Sequence, residues 1–280
     1  MRKIPFSVAM SVYFKDRAEH FDRALESITA KQSLLPDEIV LIVDGPVGDD
    51  INKVIDKYTG RYDIFNIIRL EKNVGLGNAL RIAVESSKNE YIARMDSDDV
   101  SVYDRFEQQI AYINKQPETD ILGGDITEFI GEETNIVAKR AVPAGNEEIR
   151  SYMKKRCAFN HMTVMYKKSA VINAGNYIDW FYNEDYYLWI RMLFSGAVFA
   201  NTGTVLVNVR TGDEMYSRRG GIRYFKSEAG LQKYMLENKI ITFDIYLANI
   251  IKRFIVQLLL PNKVRAWVFK KFARTGSDKS

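Results

Sequence analysis

The sequence predicts an α/β fold, in which a Rossmann-like, mostly parallel sheet is flanked by helices and followed by a helical C-terminal extension. Over the first 115 residues, apolar runs of strand length alternate with segments whose apolar residues recur at helical spacing, a pattern expected of βαβ units. From Ile222 onward the pattern becomes helical. We therefore assign residues 1–220 to one domain, with halves at 1–115 and 116–220, and residues 221–280 to the extension.

The first half contains four predicted strands joined by three crossover helices. The strands are Phe6–Val12, Glu38–Val43, Ile64–Leu70 and Tyr91–Met95. Each helix is marked by apolar residues on one face, namely Phe21, Ala24, Leu25 and Ile28, then Ile51, Val54, Ile55 and Tyr58, then Leu76, Ala79, Leu80, Ala83 and Val84. In open sheets of this kind, ligands bind beyond the carboxyl ends of the strands. Those ends carry Tyr13, the turn Asp44-Gly45-Pro46 and the run Asp96-Ser97-Asp98-Asp99.

The second half is less regular. Its predicted elements are a helix near Glu147–Lys155, a strand at Thr163–Tyr166, a helix starting near Glu184, and strands around Val198 and at Val205–Val209. A further predicted helix, which includes Phe106, Gln109, Ile110 and Ile113, closes the first half. No internal repeat or low-complexity linker separates the halves, so we expect both to complete one domain.

Composition limits the chemistry and the partners. The single Cys157 excludes an intramolecular disulfide, and with only His20 and His161 a Cys/His zinc site is not available. Residues 252–280 hold eight basic residues and one acid, a net +7, so the other 251 residues sum to −3. We expect a basic tail that meets an anionic surface, and no nucleic-acid partner. No signal peptide opens the sequence, so secretion is not expected.

The C-terminal segment predicts membrane association without a membrane span. Ile245–Leu260 is apolar, but Lys252-Arg253 interrupts it and it is shorter than the roughly 20 clean residues that a spanning helix needs. After Pro261, apolar and basic residues alternate as in an interfacial helix on anionic lipid. These are Val264, Trp267, Val268 and Phe272, with Lys263, Lys270, Lys271 and Arg274. The alternative is a surface helix packed on the body.

Three carboxylates crowd the end of the fourth strand, at Asp96, Asp98 and Asp99. Their mutual repulsion is costly unless a cation or strong donors relieve it. Oxygen ligands suit Mn²⁺ or Mg²⁺. The alternative is that Asp99 or Ser101 caps the following helix, which accounts for one acid and not for three.

Taken together, these motifs resemble the family 2 glycosyltransferases, a large family with the GT-A fold, from about Phe6 to Arg219. The resemblance rests on Tyr13, Val43-Asp44-Gly45-Pro46, Asn73-Val74-Gly75-Leu76, Ala93-Arg94-Met95-Asp96-Ser97-Asp98-Asp99, Asn183-Glu184-Asp185 and Leu188-Trp189-Ile190-Arg191. The bacterial members that build capsules, exopolysaccharides and O-antigens are the most similar.

The resemblance implies a UDP-sugar donor bound by the first half, residues 1–115. Tyr13 would stack on uracil, Asp44 would hydrogen-bond the base, Asp96 would face the ribose and Asp98 would hold the divalent ion at the diphosphate. The family often has two acids at the turn, and here Val43 replaces the first. Arg94 positions Asp96 or the sugar nucleotide, or else forms a structural ion pair. Tyr13 as a strand-end aromatic and Asp44 as a turn former remain alternatives.

The same resemblance makes residues 116–220 the acceptor half, with Asp185 as the general base of an inverting transfer. Asp185 and Glu184 as helix-capping acids are the alternative. His161 either lines the acceptor site or is a polar core residue, and Glu184 and Trp189 are further acceptor-site candidates.

A histidine that often follows the last strand in the family, as a further metal ligand, is replaced here by Val209-Arg210-Thr211-Gly212-Asp213. Arg210, with Arg218 and Arg219 before Gly220-Gly221, is predicted to fold over the diphosphate. A solvated loop is the alternative.

The expected protein is a cytoplasmic enzyme at the inner face of the cell membrane that moves a hexose from a UDP-sugar to a hydroxyl of a lipid-linked oligosaccharide. A nucleotidyltransferase would need a glycine-rich loop and a lysine after the first strand, where Tyr13-Phe14-Lys15 stands. A non-catalytic scaffold or glycan-binding subunit with the same fold is the alternative from another class. The presence of Asp98 and Asp185 argues against it.

Overall fold

A computed structural model of the protein describes residues 4–212, 220–261 and 264. Nine strands form one mixed sheet. They are β1 (Phe6–Val12), β2 (Glu38–Val43), β3 (Phe65–Arg69), β4 (Tyr91–Met95), β5 (Val100–Ser101), β6 (Ile121–Phe129), β7 (Ile136–Arg140), β8 (Met165–Lys167) and β9 (Phe199–Arg210). The order is β3-β2-β1-β4-β8-β6-β9-β5, and β7 pairs with β6.

Helices flank the sheet and extend the chain beyond it. They are α1 (Ala18–Ile28), α2 (Asp49–Thr59), α3 (Leu76–Ser86), α4 (Arg105–Lys115), α5 (Asn146–Met153), α6 (Lys168–Asn173), α7 (Glu184–Phe194), α8 (Ile222–Glu237) and α9 (Phe243–Phe254). A 3₁₀ turn spans His161–Thr163, and a π-helical turn at Ile255–Leu259 continues α9.

The first half matches the prediction, because β1 pairs in parallel with both β2 and β4, and β2 with β3. Strand β1 is buried on both faces. Met10 contributes to one core with Phe21 of α1, while Ala9 contributes to the opposite core with Leu80 of α3. Alternate residues of a strand point to opposite faces, so helices on both sides explain why these strands are continuously apolar.

The second half makes the sheet mixed. Strand β8 is antiparallel to both β4 and β6, β9 is parallel to β6, and β5 is antiparallel to β9. The two strands predicted around Val198 and at Val205–Val209 are one long strand, β9. Four elements were not predicted: β5, β6, β7 and α6. The boundary between the two halves at residue 115 coincides with the end of α4, and the proposed domain limits stay a prediction.

The helical extension is held to the body by a buried polar cluster. Arg253 of α9 forms an ion pair with Glu228 of α8. Asn249 Nδ2 donates to Gln232 Oε1 at 2.8 Å and to the Lys154 carbonyl at 2.9 Å. Among the residues that the structure describes, no helix combines the length and apolarity needed to cross a membrane. Most of the predicted interfacial segment after Pro261 lies outside the described residues.

Candidate active site

The predicted donor residues meet at one edge of the sheet. Strands β2, β1 and β4 are neighbours, and Asp44, Tyr13 and Asp96 directly follow their carboxyl ends. The Asp44 N–H donates to the Val12 carbonyl at 2.8 Å, which ties the turn after β2 to the end of β1. The strand order therefore brings together three residues that are distant in sequence.

Asp44 clamps the loop that precedes α3. Its Oδ1 accepts from the Val74 N–H at 2.7 Å, and its Oδ2 accepts from Asn73 Nδ2 at 2.9 Å and from the Gly75 N–H at 3.1 Å. The side chain is buried. Gly45 has a φ of +86°, and a Cβ there would lie 2.6 Å from the Asn73 nitrogen, so the turn requires glycine. Asp44 thus has a positioning role, and its contact with a nucleotide base stays a prediction.

Asp16, which the sequence did not single out, links Tyr13 to the acidic motif. Its Oδ2 accepts from the Tyr13 N–H at 3.0 Å and from the Ser97 hydroxyl at 2.9 Å. Burial, together with the charge of Asp96, raises the pKa of Asp16 although both donors lower it. The only sequence signal for this residue is its place three positions after Tyr13.

Arg94 lies fully buried beneath Asp96 and forms an ion pair with it. Burial of the guanidinium opposes its charge, but the Asp96 carboxylate outweighs this effect and raises the pKa of Arg94. Arg105, also fully buried, donates from Nη2 to the Arg94 carbonyl at 2.7 Å. Burial, with the charge of Arg94, lowers the pKa of Arg105 to about 9. The Arg94–Asp96 ion pair fits both roles predicted for Arg94, and an effect of Arg94 on the sugar nucleotide stays a prediction.

The other two acids of the motif have different surroundings. Asp99 is buried, and its Oδ1 accepts from the Arg210 N–H at 2.9 Å. Burial, followed by the charges of Asp98 and Asp96, raises the pKa of Asp99 well above its ordinary value. Asp98 is exposed, yet the protein packed around it and the charges of Asp96 and Asp16 raise the pKa of Asp98 to about 6. Asp98 is therefore the most exposed of the three acids, whereas Asp96 is half-buried and Asp99 is buried.

The donor set fits a divalent cation that is shared with a diphosphate. No three His, Cys, Asp or Glu side chains form a ready metal cage within the described ranges. A cage is not required, because Mg²⁺ and similar ions are usually held by one or two carboxylates plus substrate phosphates. Burial, followed by the charge of Asp96, raises the pKa of Asp98 and that of Asp16, and a cation would relieve this clustering of negative charge. Asp98 is the residue that could hold the ion.

Arg210 fastens the end of β9 to the acidic motif. Its Nε donates to the Asp98 carbonyl at 3.2 Å and its Nη1 to the Gly131 carbonyl at 3.0 Å. The guanidinium also lies over the Phe129 ring, 4.7 Å from the centroid. These contacts give Arg210 a structural role, and its contact with the sugar nucleotide stays a prediction. Arg218 and Arg219 lie outside the described residues.

The acidic pair of the acceptor half opens α7. Asp185 Oδ1 accepts from the Tyr186 N–H at 2.7 Å. Burial, followed by the charge of Asp185, raises the pKa of Glu184 to about 7. Just ahead of the pair, Asn183 Nδ2 donates to the Ser227 hydroxyl of α8 at 3.0 Å. The helical extension therefore holds the segment that presents Asp185.

The two halves meet where α3 begins. A Cβ on Gly77 would lie 3.3 Å from the Cα of Asp179 and 3.3 Å from the Cβ of Glu184. The loop clamped by Asp44 leads directly into this contact. The charge of Arg94, beneath the acidic motif, also acts on Glu184. Donor-side and acceptor-side acids thus share one region at the carboxyl edge of the sheet.

His161 lies in an aromatic cluster next to this region. Its Nε2 is 2.9 Å from the Tyr177 hydroxyl, and burial, with the charge of Arg94, holds the pKa of His161 well below its ordinary value. The imidazole is therefore neutral at pH 7. Trp189 is fully buried, with its ring centroid 6.0 Å from that of His161. The structure places Trp189 in the core beneath the site, which corrects its prediction as an acceptor contact.

A mixed sheet of this topology, with acids gathered at its carboxyl edge and a second acidic pair beside them, defines a glycosyltransferase of the GT-A class. The family model described as Glycosyl transferase family 2 matches residues 7–181. The chain belongs to this family.

Similar proteins come from bacterial polysaccharide synthesis. The chain is 36% identical over 266 residues to the amylovoran biosynthesis glycosyltransferase AmsE of Erwinia amylovora, covering 95% of this chain and 98% of that protein. It is 36% identical over 269 residues, and 96% of each chain, to the UDP-Gal:α-D-GlcNAc-diphosphoundecaprenol β-1,3-galactosyltransferase of Escherichia coli. The crystal structure of S. aureus TarS 1–349 in complex with UDP-GlcNAc superposes with a TM-score of 0.67 at 17% identity, covering 90% of this chain and 73% of that one.

Proposed function

We propose that the protein transfers a hexose from a UDP-sugar to a hydroxyl of a lipid-linked glycan, with inversion, during synthesis of a surface polysaccharide. The observation that carries this proposal is the close approach of Gly77 to the segment of Glu184, because it sets the loop that Asp44 holds, which leads into α3, against the segment of the candidate base. The names of two relatives support the substrate classes. One names amylovoran synthesis, and the other names UDP-galactose and a GlcNAc-diphosphoundecaprenol acceptor.

On the donor side, Tyr13 stacks on the uracil while the loop that Asp44 clamps shapes the base pocket. Asp96, fixed by Arg94, faces the ribose. Asp98 would hold Mn²⁺ or Mg²⁺, and the bound ion would supply positive charge that stabilises the departing UDP.

On the acceptor side, Asp185 is the general base. The acceptor oxygen attacks the anomeric carbon from the face opposite UDP, the bond from that carbon to the diphosphate oxygen breaks, and the hydroxyl proton passes to the Asp185 carboxylate. The raised pKa of Glu184 keeps a large share of this neighbour protonated at neutral pH, so it does not compete as a second full charge. Neutral His161 contacts the acceptor as a hydrogen-bonding group.

For location, the proposal is a cytoplasmic enzyme that binds the inner face of the membrane through the basic residues that follow Pro261. A lipid-linked acceptor requires this proximity. Removing residues 261–280 should shift the protein from the membrane fraction to the soluble fraction, and unchanged fractionation would refute the role of the tail.

The direct test is UDP release by purified protein supplied with a panel of UDP-sugars and Mn²⁺, with and without a diphosphoundecaprenol-linked GlcNAc acceptor. Asp185→Asn should lower kcat by about 100-fold or more while UDP affinity stays near that of the wild type. Asp63→Asn is the matched control, because Asp63 is an exposed acid just before β3.

Two results would contradict the proposal. A loss of UDP binding in Asp185→Asn would remove its role as base. No UDP release and no binding with any donor would favour the non-catalytic scaffold or glycan-binding subunit.

A further inference from the structure

Helix α9 and the turn that continues it bury polar side chains and expose apolar ones, the reverse of an ordinary surface helix. Their polar residues Asn249, Arg253 and Gln257 are buried, at positions four residues apart. Six large apolar side chains point outward and are 44% to 66% exposed. We call them the α9 outer face: Phe243, Leu247, Ile251, Phe254, Ile255 and Leu259. A run of exposed apolar residues of this size marks an interaction surface, whereas isolated ones are common.

The buried polar side fixes this orientation. The Arg253 guanidinium pairs with Glu228 of α8 and donates from Nη2 to the Lys155 carbonyl at 3.2 Å. The Gln257 main-chain carbonyl accepts from the Gly221 N–H at 3.1 Å and ties the end of the segment to the start of α8. Turning the apolar side inward would leave the buried Glu228 and Gln232 of α8 without the Arg253 and Asn249 partners that they have now. The apolar side therefore faces outward as part of the fold.

The charges beside the α9 outer face indicate what covers it. Exposed Lys252 flanks the face, and the only acid on the helix is Asp244 in its first turn. The sequence after residue 261 adds six basic residues and one acid. Two copies of this chain would bring these positive charges together, whereas anionic lipid headgroups attract them.

We propose that the α9 outer face docks into the headgroup and upper acyl region of an anionic bilayer. This inference goes beyond the membrane role proposed for the tail, since it assigns a folded helix as the apolar anchor and leaves electrostatic attraction to the tail. The docked helix packs on α8, whose Ser227 holds Asn183 just before Asp185. Docking therefore sets the height of the candidate base above the lipid surface, where a lipid-linked acceptor presents its sugar.

The test is cosedimentation of the full chain with vesicles made of equal parts phosphatidylcholine and phosphatidylglycerol. The double variant L247Q/I251Q should partition about tenfold less than the wild type, because each residue loses the burial of a roughly half-exposed aliphatic side chain. The control is I136Q/I172Q, which changes two side chains of similar exposure outside α9 and should partition like the wild type. An unchanged far-UV circular dichroism spectrum and a cooperative thermal unfolding transition report that each variant is folded.

A second measurement does not depend on the stability of that variant. An environment-sensitive dye at Leu247→Cys, in a Cys157→Ser background, should shift to the blue when vesicles are added, while the same dye at Lys115→Cys should not. Equal partition of L247Q/I251Q and wild type, or no shift at position 247, would overturn the proposal. A wild-type dimer that L247Q/I251Q converts to a monomer, with neither protein bound to vesicles, would also overturn it and assign the face to a second copy. No turnover is measured, so the result is independent of the proposed transfer reaction.

Discussion

Replacing Asp44 with alanine tests whether the buried carboxylate organises the loop before α3, which we propose to shape the nucleotide pocket. The change leaves the Val74 and Gly75 N–H groups without their acceptor and removes one of the two acceptors of the Asn73 side-chain amide, which keeps the Asp44 main-chain carbonyl. A hydrogen bond to a charged group contributes about 1.5–3 kcal/mol, but water can enter this partly buried loop, so we take about 1 kcal/mol for each of the three donors. The expected loss is about 3 kcal/mol, which lowers Tm by roughly 6 °C in a chain of this size.

Thermal unfolding and calorimetric titration with UDP and Mn²⁺ separate the positioning role from direct contact with the base. If Asp44 acts through the loop, Asn73→Ala should lower both Tm and UDP affinity in the same direction as Asp44→Ala, by a smaller amount. The exposed acid Asp63 gives the control Asp63→Ala, for which neither quantity should change. A normal Tm for Asp44→Ala, combined with lost UDP binding and an unaffected Asn73→Ala, would refute the loop argument and leave a direct base contact.

Three further predictions concern the acids and the junction between the halves. Burial and the charge of Asp185 raise the pKa of Glu184 to about 7, so ionisation of Glu184 weakens the folded state as pH rises from its ordinary pKa through 7. Glu184→Gln should therefore raise Tm relative to the wild type at pH 8 but hardly at pH 5. An equal difference in Tm at both pH values would contradict this prediction. Gly77→Val should lower kcat by about 10-fold or more without changing UDP affinity, because the added side chain displaces the segment of Glu184. Unchanged steady-state kinetics would show that the contact between α3 and this segment does not align the two halves of the domain. Asp99→Asn keeps an oxygen that can accept from the Arg210 N–H, so its unfolding in urea should resemble that of the wild type. Asp99→Ala should lose about 1–3 kcal/mol of the free energy of unfolding. Identical unfolding of the two variants would show that the hydrogen bond from Asp99 to β9 does not stabilise the fold.

The first half of the fold could be predicted because its signals are local. Each of β1 to β4 is a short apolar run, and each of α1 to α3 has an apolar stripe. Strand β6 gives no such signal, since Gly123-Gly124-Asp125 interrupts its apolar residues. It becomes a strand through pairing with β8 and β9. Such long-range pairing leaves no local pattern in the sequence.

The sequence predicted where the candidate site lies better than it predicted the contacts that its residues make. The motifs identified the strand ends that carry Tyr13, Asp44 and Asp98, because sheet topology places those ends together. Asp16 and Arg105 were missed, since each gains its contacts only in the folded chain. Trp189 was misplaced for a related reason: on a helix with buried residues on several sides, spacing alone does not tell which ring reaches the surface.

Helix α9 illustrates a signal that was present in the sequence but not used. Asn249, Arg253 and Gln257 recur at a spacing of four within an otherwise apolar segment. That spacing is typical of one face of a helix. Once α8 is known to supply Glu228 and Gln232, the polar stripe is seen to be the inner side.

The contact at Gly77 has a consequence for protein engineering. One way to change the acceptor preference of such enzymes is to make chimeras, in which residues 1–115 of one family member are joined to the remainder of another. Such chimeras must keep a close contact. A Cβ added at Gly77 would lie 3.3 Å from the Cα of Asp179 and 3.3 Å from the Cβ of Glu184, so a bulkier segment at these positions would collide with α3. Compatible parents can therefore be chosen by the size of the residues at these three positions before any chimera is made.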